Sequence, residues 1–169
     1  MLTNNNETFH LKQIHRLFSI LLWFGFLSLP ACGGILQMQA FFGGEFDVNI
    51  IIAKNANRDN PVAVDLILIY NQELAKQLLT IPAQEWFKKR DQFKQDFPRD
   101  TGFDSWEWEW VPNQYVSPLS IPMKTKVKSV IIFANYITEG DHRARVIPNT
   151  NIQLELLEEG FRVETNGNF

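Results

Sequence analysis

The stretch VAVDLILIY, residues 62–70, decides the fold because it has the pattern of a β-strand with one continuous apolar face. Side chains alternate between the two faces of a strand, so every second residue shares a face. One face here holds only large apolar side chains: Val62, Val64, Leu66, Leu68 and Tyr70. Such a face has to pack against a second layer, which predicts a sheet covering a hydrophobic core.

Outward from this stretch, the β pattern recurs in short segments separated by polar turns. The preceding segment FDVNIIIA, residues 46–53, begins with alternation, and its run of isoleucines predicts a strand that is buried on both faces. Further strands are predicted at 105–111, 119–123, 126–136, 143–148, 152–157 and 161–164.

Residues 72–97 interrupt the β pattern with apolar residues at helical spacing. We predict one helix from Gln72 to Leu79 and a second from Pro82 to about Asp96. The second helix has a shared stripe: Trp86, Arg90, Phe93 and Phe97. Seven or eight strands with one helical insertion predict a mainly β fold, a β-sandwich of the immunoglobulin-like kind.

The chain has 169 residues and a formal net charge of -3, which fits one domain and gives no basic footprint for nucleic acid. Its first 31 residues differ from the remainder. Lys12 and Arg16 precede the uncharged apolar run LFSILLWFGFLSL, residues 17–29. This run is too short to span a bilayer comfortably, and with the positive residues before it and the small residues after it, it predicts a secretory signal at residues 1–31.

The end of the signal and the residue after it form LSLPAC, residues 27–32, which resembles a bacterial lipobox with Ala31 before the only cysteine. The resemblance implies cleavage between Ala31 and Cys32 and a covalent lipid on Cys32, with no other cofactor. Gly33 stands where an aspartate would retain a lipoprotein at the inner membrane, which implies an outer-membrane, periplasm-facing position. Residues 32–45 are then predicted to be a lipidated tether, and 46–169 the β-sandwich domain.

Processing at Cys32 leaves few side chains that could act in catalysis, because the only thiol is lipidated and His142 is the only histidine left. A catalytic triad needs a base beside its nucleophile, and His142 lies in the turn EGDHR, where a solvated loop residue is expected. Asn55, Asn57 and Asp59 imitate the opening of a calcium loop, but the sixth and twelfth positions do not fit it. We therefore expect no metal site and no enzyme activity.

The string DSWEWEWVP, residues 104–112, is the most unusual one in the predicted domain. Period two places Trp106, Trp108 and Trp110 on one face of a strand. These indoles either fill the core or form a partly exposed aromatic ridge at a protein interface. Both alternatives stay open at this point.

Two stretches, NRDNPVAVDLILIY (57–70) and SIPMKTKVKSVIIFANYITEGDHRARV (120–146), resemble the TssJ family, the outer-membrane lipoproteins of the bacterial type VI secretion system. The chain departs from that family in its longer helical insertion, in His142 and in the tryptophan string. The resemblance implies a transthyretin-like β-sandwich without catalysis. It also implies a partner, the periplasmic part of an inner-membrane secretion component.

In the TssJ family the loop between the first two strands helps to contact that partner. The resemblance carries this role onto Asn57, Arg58, Asp59 and Asn60, with the first three expected at the tip of the loop. Two alternatives remain: a pilotin-type lipoprotein that escorts a secretin to the outer membrane, and a periplasmic ligand-binding lipoprotein that uses the tryptophans as a platform.

Overall fold

The computed structural model describes residues 44–99 and 101–165, which form two four-stranded sheets and two helices. The predicted signal sequence, the lipidation site and most of the predicted tether lie outside the described residues. The strands are β1 (Glu45–Ile52), β2 (Val62–Ile69), β3 (Phe103–Trp110), β4 (Leu119–Pro122), β5 (Ser129–Asn135), β6 (Arg143–Val146), β7 (Ile152–Leu156) and β8 (Phe161–Thr165). The helices are α1 (Gln72–Leu78) and α2 (Ala83–Asp96).

The first sheet has the strand order β4-β1-β7-β8 and the second sheet the order β3-β2-β5-β6. All neighbours are antiparallel except β1 and β7, which are parallel. The sheets pack face to face around one aliphatic core, which confirms the predicted β-sandwich. β1 already starts at Glu45, which pairs with Pro122, so the strand takes in a residue that the sequence assigned to the tether.

One prediction about β1 was wrong. Buried and exposed side chains alternate along the whole strand, including its run of isoleucines. Ile50 and Ile52 are buried in the core, whereas the side chain of Ile51 is 46% exposed. The prediction of a strand buried on both faces was wrong because only the inner face of the first sheet is covered.

β2 is buried on both faces, as is its neighbour β5. Its even-numbered residues face the sandwich core, as the alternation predicted. The opposite face, with Ile67 and Ile69, is covered by the two helices. β2 therefore lies between two separate hydrophobic clusters and belongs to both.

The helices lie where the spacing predicted them. Asn71 caps α1, since its side-chain oxygen accepts hydrogen bonds from the backbone N–H groups of Glu73 (2.9 Å) and Leu74 (3.0 Å). α2 follows Pro82 and buries Trp86, whose ring stacks on Phe133 of β5 at a centroid distance of 5.1 Å. No helix among the described residues is long and apolar enough to cross a membrane.

Each face of the second sheet contains one buried aspartate. On the helix face, Asp65 accepts a hydrogen bond from the indole Nε1 of Trp86 (2.8 Å) and lies 3.2 Å from Arg90. On the sandwich face, Asp104 accepts hydrogen bonds from the Tyr70 hydroxyl and the Lys124 ammonium, each at 2.7 Å. Neither carboxylate is left unpaired, as the burial of a charge requires.

Candidate functional site

Three loops meet at one end of the sandwich: the β1–β2 loop (53–61), the β5–β6 loop (136–142) and the β7–β8 turn (157–160). Backbone and side-chain hydrogen bonds connect them. Asn55 donates to the Glu158 carboxylate (2.8 Å), and the Thr138 hydroxyl donates to the Glu159 carbonyl (2.9 Å). We call this surface the three-loop end.

Asn57 joins all three loops from inside. Its side-chain oxygen accepts from the N–H of Ile137 (2.8 Å), its amide nitrogen donates to the Pro61 carbonyl (2.7 Å), and its backbone N–H donates to the Leu157 carbonyl (3.0 Å). Only 1% of Asn57 is exposed. The prediction that Asn57 stands at the accessible loop tip was wrong, because its polar atoms satisfy backbone groups of the neighbouring loops.

The backbone at this position is unusual. Asn57, Arg58 and Asp59 all have positive φ angles, of 49°, 52° and 63°. Asn and Asp tolerate the left-handed region, but for an arginine it costs roughly 1–2 kcal/mol. The surrounding hydrogen bonds hold this turn in place, so its tip is presented in one conformation.

The three remaining predicted contact residues lie at the surface. Arg58 pairs with Glu159 at 2.7 Å, with side chains that are 55% and 69% exposed. Asp59 and Asn60 are exposed as well, and the Asn60 side chain donates to the Arg58 carbonyl (2.8 Å). An exposed pair like Arg58–Glu159 contributes little to stability. The charged groups of Arg58 and Glu159 can therefore pair with a binding partner instead, at little cost to the stability of the fold.

Two exposed apolar side chains flank these charges. Ile137 is 58% and Leu157 is 40% exposed, and the backbone of each residue is bound to Asn57. The three-loop end thus combines apolar side chains with charges around them. This composition is typical of protein–protein interfaces.

His142 does not behave as a solvated loop residue, which corrects that prediction. It is half-buried, its ring stacks on Tyr136 at 4.8 Å, and its Nε2 lies 3.0 Å from the Thr138 carbonyl. Burial raises the pKa of the Tyr136 hydroxyl beneath it. The Thr138 hydroxyl is 3.3 Å from Nε2 but donates to a backbone carbonyl, so the ring serves to shape the β5–β6 loop.

The described residues contain no group of three or more His, Cys, Asp or Glu side chains that could hold a metal ion. Asn55 and Asn57, which imitated a calcium loop, are both engaged in hydrogen bonds between loops.

The three tryptophans lie on the inner face of β3, at the edge of the second sheet. Trp110 is 5% exposed and stacks against Trp108 at 5.4 Å, while Trp106 and Trp108 are half-buried. The sequence left two alternatives open for these indoles, core filling and partial exposure. All three pack on the core, and Trp106 and Trp108 are also partly exposed.

Comparison with solved structures identifies the fold. The chain superposes on the type VI lipoprotein TssJ1 of Pseudomonas aeruginosa with a TM-score of 0.57 and 11% sequence identity, over 75% of this chain and 98% of that one. The fold is that of the type VI secretion lipoproteins. The Lip protein of Serratia marcescens, a membrane-bound component of the type VI secretion system, gives a TM-score of 0.54 at 12% identity over 72% and 97% of the two chains.

A chain of a type VI membrane complex matches with a TM-score of 0.56 and 12% identity, over 72% of this chain and 98% of that one. No protein-family model matches the sequence, and no curated protein matches it either. The likeness to type VI lipoproteins is therefore one of structure, with nearly all of each lipoprotein's length represented in this chain.

Proposed function

We propose that the chain is a non-catalytic lipoprotein of a type VI-like secretion machine, anchored to the outer membrane. In this proposal it holds the periplasmic part of an inner-membrane component. The observation that carries the proposal is the type VI lipoprotein fold combined with a preorganised three-loop end. Rigid loops at the end of a sandwich are suitable recognition elements because little conformational entropy is lost when they bind.

The three-loop end is the surface that we assign to the partner. Arg58, Asp59 and Asn60 supply polar groups, and Ile137 and Leu157 supply apolar area. Asn57 contributes indirectly, because its buried side chain fixes the loops that carry these groups.

Charge reversal at the loop tip tests this assignment. We expect the pair Arg58→Glu and Asp59→Lys to weaken co-purification of the inner-membrane component about tenfold or more, because both changes reverse charges at the contact. The fold should be retained, since both side chains are exposed. Capture is measured by pull-down from detergent-solubilised membranes, with thermal unfolding recorded in parallel.

Lys76→Glu is the matched control, because Lys76 also forms an exposed ion pair, with Glu73 at 2.9 Å, on helix α1. It should leave capture unchanged. Equal capture by the loop variant and this control would contradict the assignment of the three-loop end.

The anchor is tested separately at Cys32. Two or more acyl chains are required for stable membrane attachment, and the thiol is the attachment point implied by the lipobox. We expect Cys32→Ser to release the protein from the outer-membrane fraction while the purified domain still captures the partner. A variant that continues to fractionate with the outer membrane would refute the anchor and leave the partner surface untouched.

A further inference from the structure

Strand β3 is an open edge of the second sheet. It pairs with β2 without interruption from Phe103 to Trp110. The backbone N–H of Tyr70 donates to the Gly102 carbonyl, and hydrogen-bonded pairs recur at every second residue of an antiparallel ladder. The even-numbered residues of β3 therefore exchange backbone hydrogen bonds with β2. The odd-numbered residues Ser105, Glu107 and Glu109 therefore direct their backbone N–H and C=O groups away from the sheet. Within residues 44–99 and 101–165, none of these backbone groups has a hydrogen-bond partner.

The other edge strands in the described part of the chain are shorter. β4 and β6 have four residues each and β8 has five, and β4 ends in Pro122. β3 has eight residues, with neither proline nor lysine among them and no bulge in its pairing. Short length, proline, lysine and bulges are the usual features that protect an edge strand against pairing with a further strand. β3 has none of these features and carries only glutamates on its exposed positions.

The two faces beside this edge differ in chemistry. On the inner face, Trp106 and Trp108 contact the core but remain half-buried, so apolar area is left uncovered at the edge. On the outer face lie Glu107 and Glu109. Glu107 is paired with both Lys94 (2.5 Å) and Arg90 (3.4 Å) of α2, whereas Glu109 has no ion-pair partner among the described residues.

A cleft of about 420 Å³ adjoins the outer face near Ser105 and Glu107. Phe97 and Phe103 contribute its apolar wall, and Lys94 and Arg99 line it as well. A side chain from a strand added beside β3 has room there, so the edge is accessible on both faces.

We propose that the β3 edge binds an extended segment of a partner protein in which apolar and basic residues alternate. The apolar residues would cover Trp106 and Trp108, and a basic residue would face the carboxylate of Glu109, which has no ion-pair partner among the described residues. Backbone pairing supplies affinity in this mode, and the alternating side chains supply specificity.

Charge decides against a second copy of the chain as the occupant. Pairing of two β3 edges would place the glutamates of both copies on one face at cross-strand distance, where like charges repel. The proposal concerns a surface separate from the three-loop end, so it does not depend on capture by that end.

A designed peptide tests the edge. The acetylated peptide Val-Lys-Val-Lys-Val-Lys-Val has the required alternation, and the peptide with Glu in place of Lys is its control. We expect the lysine peptide to bind the full chain and to change tryptophan fluorescence, and the glutamate peptide to bind at least tenfold more weakly. Binding is followed by calorimetry and by indole emission.

Variants of Glu109 separate backbone pairing from charge. Glu109→Pro removes an N–H that faces the open edge and leaves the bonds to β2 in place, whereas Glu109→Thr keeps the N–H and removes the charge. We expect the proline variant to bind the lysine peptide about tenfold more weakly than the threonine variant, since a backbone bond is lost and the ring obstructs the new strand. Glu109→Lys should shift the preference toward the glutamate peptide, which keeps the test valid if the proline variant folds poorly.

Three results would overturn the proposal. The first is equal binding of both peptides, and the second is equal binding by the proline and threonine variants. The third is failure of the lysine peptide to bind the full chain, including the case in which the edge is already taken by another part of the chain or by a second copy. In each of these cases, capture by the three-loop end would remain as measured with the Arg58 and Asp59 variant.

Discussion

The two faces of the second sheet are packed by different means. The face toward the first sheet is mainly aliphatic, with Val64, Leu66 and Ile132 at its centre. The face toward the helices is rich in aromatic rings, where Trp86 contacts Phe93, Phe103 and Phe133. Strand pairing brings the aliphatic residues into register, whereas the aromatic cluster depends on how α2 is placed.

The two faces also differ in the pKa of the aspartate that each one buries. Burial alone would raise the pKa of Asp104, but hydrogen bonds from Lys124 and Tyr70 and the charge of Arg99 hold it below its usual value. Burial raises the pKa of Asp65, and the Trp86 and Arg90 hydrogen bonds offset this only in part, with Glu107 adding repulsion. A buried carboxylate thus stays readily ionised on the sandwich face and is held less favourably on the helix face.

Removal of the central indole gives the largest expected effect. Trp86 is fully buried, stacks between rings and bonds Asp65. We expect Trp86→Ala to lower the free energy of unfolding by about 4 kcal/mol, since it creates a cavity and leaves part of a buried carboxylate without a donor. Urea unfolding at pH 7 measures the change.

Trp106→Ala is the control, because this half-buried indole lies on the other face, at the sheet edge. It should cost about 1–2 kcal/mol, in proportion to the smaller area that it buries. Because β2 and β5 line both clusters, we expect both variants to unfold in one transition. Equal costs for the two tryptophans would contradict the view that the helix cluster depends on Trp86.

Acidification should change the stability contributions of Asp104 and Asp65 in opposite directions, with a smaller effect than the loss of Trp86. The lowered pKa of Asp104 means that its stabilisation is complete above its unfolded-state pKa of about 4 and is lost as the pH falls through the lower folded-state pKa. We expect Asp104→Asn to cost about 1 kcal/mol at pH 7, a small value because Lys124 and Arg99 are partly solvated. The difference between wild type and this variant should shrink as the pH falls below about 4.

Asp65→Asn is the opposite case. The raised pKa of Asp65 means that its contribution is complete below about pH 4 and is lost as the pH rises through the folded-state pKa. The stability of the wild type relative to this variant should therefore increase on acidification. Urea unfolding of both variants between pH 3 and pH 7 provides the measurement, and parallel pH profiles for the two would refute the assigned pKa directions.

Local patterns in the sequence were enough to predict most of the fold. Alternation identified the strands, and spacing together with Pro82 identified the helices. The error at Ile51 arose because a run of isoleucines has the same composition whether one face of a strand is covered or both. Coverage depends on which element packs there, and the helices pack on the second sheet.

The candidate site was predictable only in part. Its location in the β1–β2 loop came from the family resemblance, and Arg58, Asp59 and Asn60 are exposed there. Asn57 was misplaced because its partners Ile137 and Leu157 belong to other loops. His142 was misplaced because its own loop folds back and stacks its ring on Tyr136. An asparagine in a polar turn tolerates left-handed backbone, but the turn sequence does not reveal which loop will bind its side chain.

The sequence by itself determined the period of each strand, the helical insertion and the character of each face, since these depend on neighbours within a few residues. Tertiary structure alone decided that Asn57 joins three loops, that Asp65 and Asp104 have opposite pKa shifts, and that β3 has an open edge beside half-buried tryptophans. Those properties depend on groups that are far apart in the chain. The geometry of packing brings them together, and no local pattern specifies which partners will meet.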